Sequence, residues 1–325
     1  MTAIPSLLKL VAAAIALSSV TVGSAFAQAY PNRTVKIVVP FATGGPADNY
    51  ARFIAQRLGE ELKQTFIIDN KPGAGSIIGT DLVAKSPADG YTLLMMSNTH
   101  TVNESLIPTK PFALTKDFVG VAPINYSNLL LVVRPNLGVK NVAELIKMAK
   151  SQPGKLNYAS SGNGTPYHMA GELFKYMAGV SITHIPYRGS SGARTDILGG
   201  QVDLMFDAET TMAEFSRQGK VLGIAGTGLK RSANLPDIPA VAETVPKYEA
   251  TIWLGLMAPK GTPPEVVSRL NAEVRKIVDQ PETKALWAKQ GAIAMSMSPA
   301  DFDKYIVADI AKWEAIVKAS GAKPD

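Results

Sequence analysis

No cysteine occurs anywhere in the 325 residues. That excludes disulfides and thiol chemistry and argues against structural zinc, so stability must come from a buried core. Histidine is nearly absent too, at three residues. His100, His168 and His184 show neither the i, i+4 spacing nor the Cys and Asp neighbours of a metal site, so neither a metal nor a cofactor is expected. The formal net charge is only +6, and the basic residues are scattered. Without a basic stripe and interleaved aromatics, nucleic acid is not an expected partner, whereas a modest positive excess suits an acidic small molecule. Beyond the N-terminus no apolar run approaches the ~20 residues of a membrane span. What the chain does have is 46% hydrophobic residues. At this length that is enough for a large core, and it favours two lobes over one.

Residues 1–27 read as a secretory signal peptide. They carry the basic Lys9, the apolar run Leu10 to Leu17, and Ala25-Phe26-Ala27, which meets the small-x-small cleavage rule. The mature chain is then expected outside the cytoplasm, soluble, with no cysteine to carry a lipid anchor.

Two later segments rhyme. Phe41-Ala42-Thr43-Gly44-Gly45-Pro46 and Ser160-Ser161-Gly162-Asn163-Gly164-Thr165-Pro166 each follow a short hydrophobic strand and lead into a helix. Proline suits the first helical position, where its missing N–H is no loss, and glycine lets the backbone turn tightly and approach a ligand. Unpaired amides at the positive end of a helix dipole form an anion site. Two such cups, about one domain's length apart, would grip a small acid carrying a carboxylate at each end. Charge-assisted hydrogen bonds contribute roughly 1.5–3 kcal/mol each. Three or four per carboxylate would reach the about 8 kcal/mol of micromolar binding without a metal.

The remaining pattern alternates strand and helix, the signature of an α/β protein with mostly parallel sheets. Strands are expected at 34–39, 66–68, 92–96, 129–133, 157–159, 202–206, 221–225 and 253–257, the last returning to the first lobe. Helices are expected at 47–63, 142–150 and 167–178, with three more starting near Pro264, Glu282 and Pro299. Asn141, with Glu144 three positions on, forms a near capping box. This divides the mature chain into lobe 1 at 28–126 plus 252–325, and lobe 2 at 127–251.

The fragments Ile37-Val38-Val39-Pro40-Phe41, Asn70-Lys71-Pro72-Gly73-Ala74-Gly75 and Asp89-Gly90-Tyr91-Thr92-Leu93-Leu94 are specific in this order. They are followed by Asn157-Tyr158-Ala159-Ser160-Ser161-Gly162-Asn163-Gly164-Thr165, Pro186-Tyr187-Arg188-Gly189 and Leu256-Met257-Ala258-Pro259-Lys260-Gly261-Thr262-Pro263. With them the mature chain resembles, end to end, the Bug-type solute-binding proteins of tripartite tricarboxylate transporters. The resemblance implies a type II, Venus-flytrap periplasmic binding protein with a cleft between two α/β domains. It also implies a monomer that delivers a small carboxylate, a dicarboxylate or an aromatic acid, to membrane permease subunits. Carried over by match, one carboxylate meets Thr43, Gly44 and Gly45, and the other meets Ser161, Gly162, Asn163, Gly164 and Thr165. Three positions depart from the family pattern: Ala42 replaces a usual proline, Ser191-Gly192 replaces an Ala-Pro step, and Arg194 stands where the family is commonly apolar. Arg194 is assigned to a solvated helix face.

Other residues have two readings. Asp48 either bonds a ligand or complements a helix N-terminus. Asp207, ending a strand, is assigned to the cleft over a loop-ordering role. Ser97, Asn98 and His100 either line lobe 1 or form a turn bonded to backbone. His168, in a first helical turn that disfavours its charge, packs or donates near the cleft, and His184 is structural. A sensor that presents the acid to a membrane histidine kinase is an alternative to transport. A hydrolase ranks lower, because Ser161 does not sit in the G-x-S-x-G that would make a triad of it with His168 and Asp48.

Overall fold

The computed structural model describes residues 30–323, so the leader read at 1–27 lies outside the described residues. Residues 33–323 belong to one compact unit. This unit begins with β1 (Val35–Val39), α1 (Pro46–Leu62), β2 (Phe66–Asn70), α2 (Ile77–Ala84), β3 (Thr92–Ser97) and α3 (Asn98–Leu106). It continues through the short α4 (Leu114–Asp117), β4 (Phe118–Val133), α5 (Val142–Ser151), β5 (Asn157–Ser160) and α6 (Pro166–Ala178). Then come β6 (Thr183–Pro186), α7 (Ser190–Leu198), β7 (Leu204–Ala208), α8 (Glu209–Arg217), β8 (Leu222–Gly226) and β9 (Thr251–Pro259). The chain finishes with α9 (Pro264–Asp279), α10 (Pro281–Gln290), β10 (Ala292–Ala294) and α11 (Pro299–Ser320).

The strands lie in the order β2-β1-β3-β9-β4-β7-β5-β6. β1 pairs in parallel with β2 and β3, and β5 does so with β6 and β7. Between these two parallel groups run β9 and β4, which are antiparallel to each other and to β3 and β7. The sheet is therefore mixed rather than mostly parallel, because the chain passes from one half to the other along strands instead of helices. β4 is the main crossing: its 16 residues pair with β9 up to Asn128 and with β7 and β8 from Leu129 onward. Sequence reading finds only its last five residues. Upstream, Gly120 and Pro123 break the strand signature, and the pairing with β9 shifts register at both places.

Alternation along β4 builds two cores at once. Leu129, Leu131 and Val133 pack with Phe174, Phe206 and Tyr248 on one face of the second half. Leu130 and Val132 pack with Ala159, Ile197 and Met205 on the other, as period-2 geometry requires. The first half closes over Val38, Leu94, Met96, Trp253 and Phe302. A separate cluster joins Val102 and Leu106 of α3, Met169 of α6 and Trp313 of α11, so it draws on helices from both halves.

α11 is pinned by one buried carboxyl. Asp309 Oδ2 accepts from Thr101 Oγ1 (2.6 Å) and from Trp253 Nε1 (3.0 Å). Burial raises its pKa above the ordinary value, against the opposing pull of these two bonds. A raised carboxyl pKa means that the charged form is disfavoured in the fold, so Asp309 detracts from stability above its folded pKa and less so as pH falls through it. Asp309→Ala should lose about 1–3 kcal/mol in urea denaturation, by leaving the buried Trp253 indole N–H unpaired, while Thr101 Oγ1 can still donate to the Asn98 carbonyl (2.8 Å). Asp309→Asn, which keeps an acceptor and carries no charge, should lose less than half of that. An alanine variant as stable as the parent would refute this role.

Candidate functional site

The two rhyming loops occupy matching places at the ends of β1 and β5. Pro46 and Pro166 each open a helix, with Gly45 and Thr165 extended at the N-cap positions. Each loop is braced by a side chain two residues after its proline. In the first, Asp48 Oδ2 accepts the Gly44 N–H (3.0 Å) and Arg52 Nε (3.0 Å), while Oδ1 accepts Asn70 Nδ2 (3.0 Å). Burial raises the Asp48 pKa, but the bonds from Arg52, Gly44 and Asn70 outweigh it and hold the carboxyl below its ordinary value. In the second, His168 Nδ1 accepts the Gly164 N–H (3.1 Å), and its ring stacks on His184 at 4.2 Å. His168 therefore accepts within its own loop, where the sequence suggested packing or donation near the cleft.

Further amides are used internally. The Gly162 N–H donates to Ser160 Oγ (3.1 Å) and the Thr165 N–H to the Gly162 carbonyl (3.3 Å). Among the described residues, no hydrogen bond engages the amides of Gly45, Ala47, Ser161, Asn163 or Tyr167. The second loop thus presents three such amides, the lower end of the three or four per carboxylate expected, and the first presents two, because a glycine-rich turn needs some of its own amides to hold its shape.

A small cavity of about 30 Å³ lies between the loops. Phe41, Ala42, Gly45, Pro46 and Ala47 wall it from one side, and Ser161, Thr165, Pro166 and Tyr167 from the other. Ser97, Thr99, Ser190, Ile252 and Leu254 also face it. A wider groove of about 510 Å³ adjoins it; the two share Phe41, Ser161, Thr165 and Gly189. Gly162, Asn163, Lys110 and Arg188 line that groove. Of the residues selected from sequence, Gly45, Ser97, Ser161 and Thr165 line the cavity, and Gly162 and Asn163 line the groove. Thr43, Gly44, Asp48, Asn98, Gly164, His168 and Asp207 line neither.

The remaining polar residues have structural partners. Ser97 caps α3, accepting the Thr99 N–H at 3.2 Å, and Asn98 Nδ2 donates to the Thr251 carbonyl (2.9 Å). His100 accepts the Ser97 N–H at 3.1 Å, and burial lowers its pKa to about 4. Ser161, His168 and Asp48 share no hydrogen bond, so no triad links them.

Arg194 is buried, at 6% exposure, and not on a solvated face. Its Nε and a terminal nitrogen grip both oxygens of Asp207 at 2.5 and 3.0 Å, and its other terminal nitrogen donates to the Gly44 carbonyl (3.3 Å). Asp207, placed in the cleft by sequence reading, is fully enclosed behind it. The buried face of α7 is Ser190, Ala193, Arg194 and Ile197, an i, i+3, i+4, i+7 stripe. That spacing is the sequence signal that assigns Arg194 inward. Beside it, Ser191 Oγ donates to the Thr43 carbonyl (2.9 Å). Gly189, at φ +135°, lies so near Ala42 that an added Cβ would sit 2.6 Å from the alanine methyl. Gly164, at φ +71°, is equally close to Asn103, where the gap would be 2.4 Å.

Arg194→Ala should destabilise the protein by about 3–5 kcal/mol, the loss expected when one member of a buried ion pair is removed. The double variant Arg194→Met with Asp207→Asn should recover most of it in the same urea titration. A single variant with unchanged midpoint and slope would show that the pair carries no such weight.

The comparisons with known proteins bear on this geometry. Residues 50–322 match the family described as the tripartite tricarboxylate transporter family receptor. The chain is similar to protein BugT of Bordetella pertussis, at 35% identity over 300 residues, covering 91% of this chain and 92% of that one. It is also similar to the solved structure of R. palustris Rpa4515 with adipate, at 37% identity and a TM-score of 0.88, covering 91% of this chain and 100% of that one. The structure of MatC from Rhodopseudomonas palustris with bound malate is similar at 32% identity and a TM-score of 0.84, with 89% and 100% covered.

Proposed function

Because the chain belongs to the tripartite tricarboxylate transporter receptor family, with its two-lobed α/β fold, we propose that it is a periplasmic solute-binding protein for a small carboxylate. The observation that carries this reading is the cavity between the two loops, where unengaged amides from both halves converge: Gly45 and Ala47 from one, Ser161 and Tyr167 from the other. Each set sits at a helix N-terminus, where N–H groups and the dipole favour an anion. Aliphatic and aromatic walls from Phe41, Ile252 and Leu254 suit the carbon chain between two acidic ends.

In this proposal the lobes divide where β4 passes from β9 to β7 and where β9 begins, and the acid stabilises the closed arrangement by touching both. The groove beside the cavity is the route of entry. Adipate and malate, bound by the two similar structures, set the ligand class to test: short dicarboxylates. Export through the N-terminal leader and delivery to a membrane permease complete the role. None of the described helices is long and apolar enough to cross a membrane.

A melting screen of the purified mature protein tests the reading. Adipate or malate at 100 times its Kd should add about 2.7 kcal/mol of stability, since a ligand bound only by the native state stabilises it by mass action. The neutral diamide adipamide should add far less. A protein that melts at one temperature with every acid tried, or responds equally to adipamide, would overturn the assignment.

A further inference from the structure

The cavity between the loops is too small for a whole diacid. Its volume of about 30 Å³ leaves room for roughly two water-sized groups, enough for one carboxylate but not for the methylene chain and second carboxylate of adipate. A longer acid held there must continue past Phe41 and Thr165 into the groove of about 510 Å³ that shares these walls. The charge on those walls is one-sided. Among the described residues no Asp or Glu lines either space, whereas Lys110 and Arg188 line the groove. Lys110 is enclosed, and its ammonium is already paired with Glu104 at 3.1 Å. Arg52, Lys71 and Arg194, on the surrounding elements, are likewise paired with Asp48, Asp69 and Asp207. Arg188 differs from all of these. It is exposed, and among the described residues no hydrogen bond, ion pair or ring contact engages its side chain.

The backbone on both sides of Arg188 is anchored. The Tyr187 N–H donates to the Ser160 carbonyl (3.1 Å), and the Tyr187 hydroxyl donates to Asp196. Gly189, the N-cap of α7, packs against Ala42 and lines both the cavity and the groove. Arg188 is thereby held where the two spaces meet. We propose that the groove is a second subsite of the acid site, in which Arg188 binds the outer carboxylate of a dicarboxylate whose inner carboxylate lies between the loops. The inference rests on the reading of the cavity as an acid site and deepens it. Pro40, Phe41, Pro72 and Ile107 offer the chain between the two ends an apolar wall. A guanidinium fork matches the two oxygens of a carboxylate, and one with no internal partner breaks no ion pair to engage it. Because Arg188 is open to water, its contribution is that of a partly screened charge.

The test uses adipate or nonanedioate, whichever the parent protein binds more tightly, and the monomethyl ester of that diacid, which keeps the chain and loses one charge. Calorimetric titration of the parent, Arg188→Gln and Arg188→Lys, with ligand-free melting temperatures for all three, supplies the readouts. Arg188→Gln should bind the diacid about 5- to 20-fold more weakly, an effect between those of an exposed ion pair and a charge-assisted hydrogen bond. The half-ester, seated by its one carboxylate between the loops, should change by less than about twofold. Arg188→Lys, which keeps the charge without the fork, should hold the diacid within about threefold of the parent. Ligand-free, both variants should melt at the parent temperature, since the side chain they replace holds nothing in the fold. Equal losses for diacid and half-ester, or no loss for either, with the diacid still bound by the parent, would overturn this inference alone. A lower ligand-free melting temperature for Arg188→Gln would also overturn it, by showing that the guanidinium serves an internal contact. A parent protein that binds neither diacid would overturn the acid-site reading and this inference with it.

Discussion

The Arg194–Asp207 pair is the interaction on which the site depends. Two unit charges are held away from water, which is tolerable only when geometry and further hydrogen bonds satisfy both ions. Here the guanidinium forks onto both carboxylate oxygens, and Asp207 takes an additional backbone N–H. The other terminal nitrogen of Arg194 reaches across to the Gly44 carbonyl. Thus one side chain fixes the end of β7 in the second half and touches the first glycine loop of the other. Ser191 repeats the contact on Thr43, and Gly189 removes the side chain that would hold Ala42 away. The cavity has its present walls because these three neighbours on α7 and its N-cap bring the loops together.

The loops themselves share a plan that differs in charge. In both, the residue two positions after the helix-opening proline accepts an amide four residues upstream: Asp48 from Gly44, and His168 from Gly164. The first brace is an anion, compensated by Arg52 and Asn70; the second is a histidine ring stacked on His184. Preorganised loops lose little entropy on binding, which lowers the cost of taking up a small ligand. The same bracing uses amides that would otherwise face an anion. In the proposed site, apolar contact with Phe41, Ile252 and Leu254 would therefore supplement the backbone N–H groups.

Local chemistry made the loops legible, since proline and glycine carry their conformational meaning within a few residues. The strands β1, β3 and β5 and the helices α1, α5 and α6 were likewise readable from periodicity and caps. β4 was not, because Gly120 and Pro123 tolerate a strand only where its register slips. α3 was hidden by the opposite cause: Asn98-Thr99-His100-Thr101-Val102-Asn103 has poor helix formers and no apolar stripe, yet it is buried, with Ser97, Thr80 and Asp309 supplying its polar partners. Arg194 was misplaced because a charged type outweighed its position on the face of Ala193 and Ile197. Its partner lies 13 residues on, and a single sequence does not say that the two meet.

What a hinge motion of the proposed kind would break can be counted from the contacts across the two halves. Beside the cavity they include two hydrogen bonds, from Arg194 and from Ser191, each to a loop carbonyl that water could satisfy instead. At roughly 0.5–1.5 kcal/mol apiece, they favour closure without locking it. Arg194 would keep Asp207 in either arrangement, so opening would leave no buried charge alone. The apolar cluster of Val102, Leu106, Met169 and Trp313 offers more resistance. Its transfer free energy scales with the area re-exposed, so a motion that pivots there and separates only the loops would cost least. A ligand touching both loops then needs to supply only a few kcal/mol of differential affinity to shift the balance.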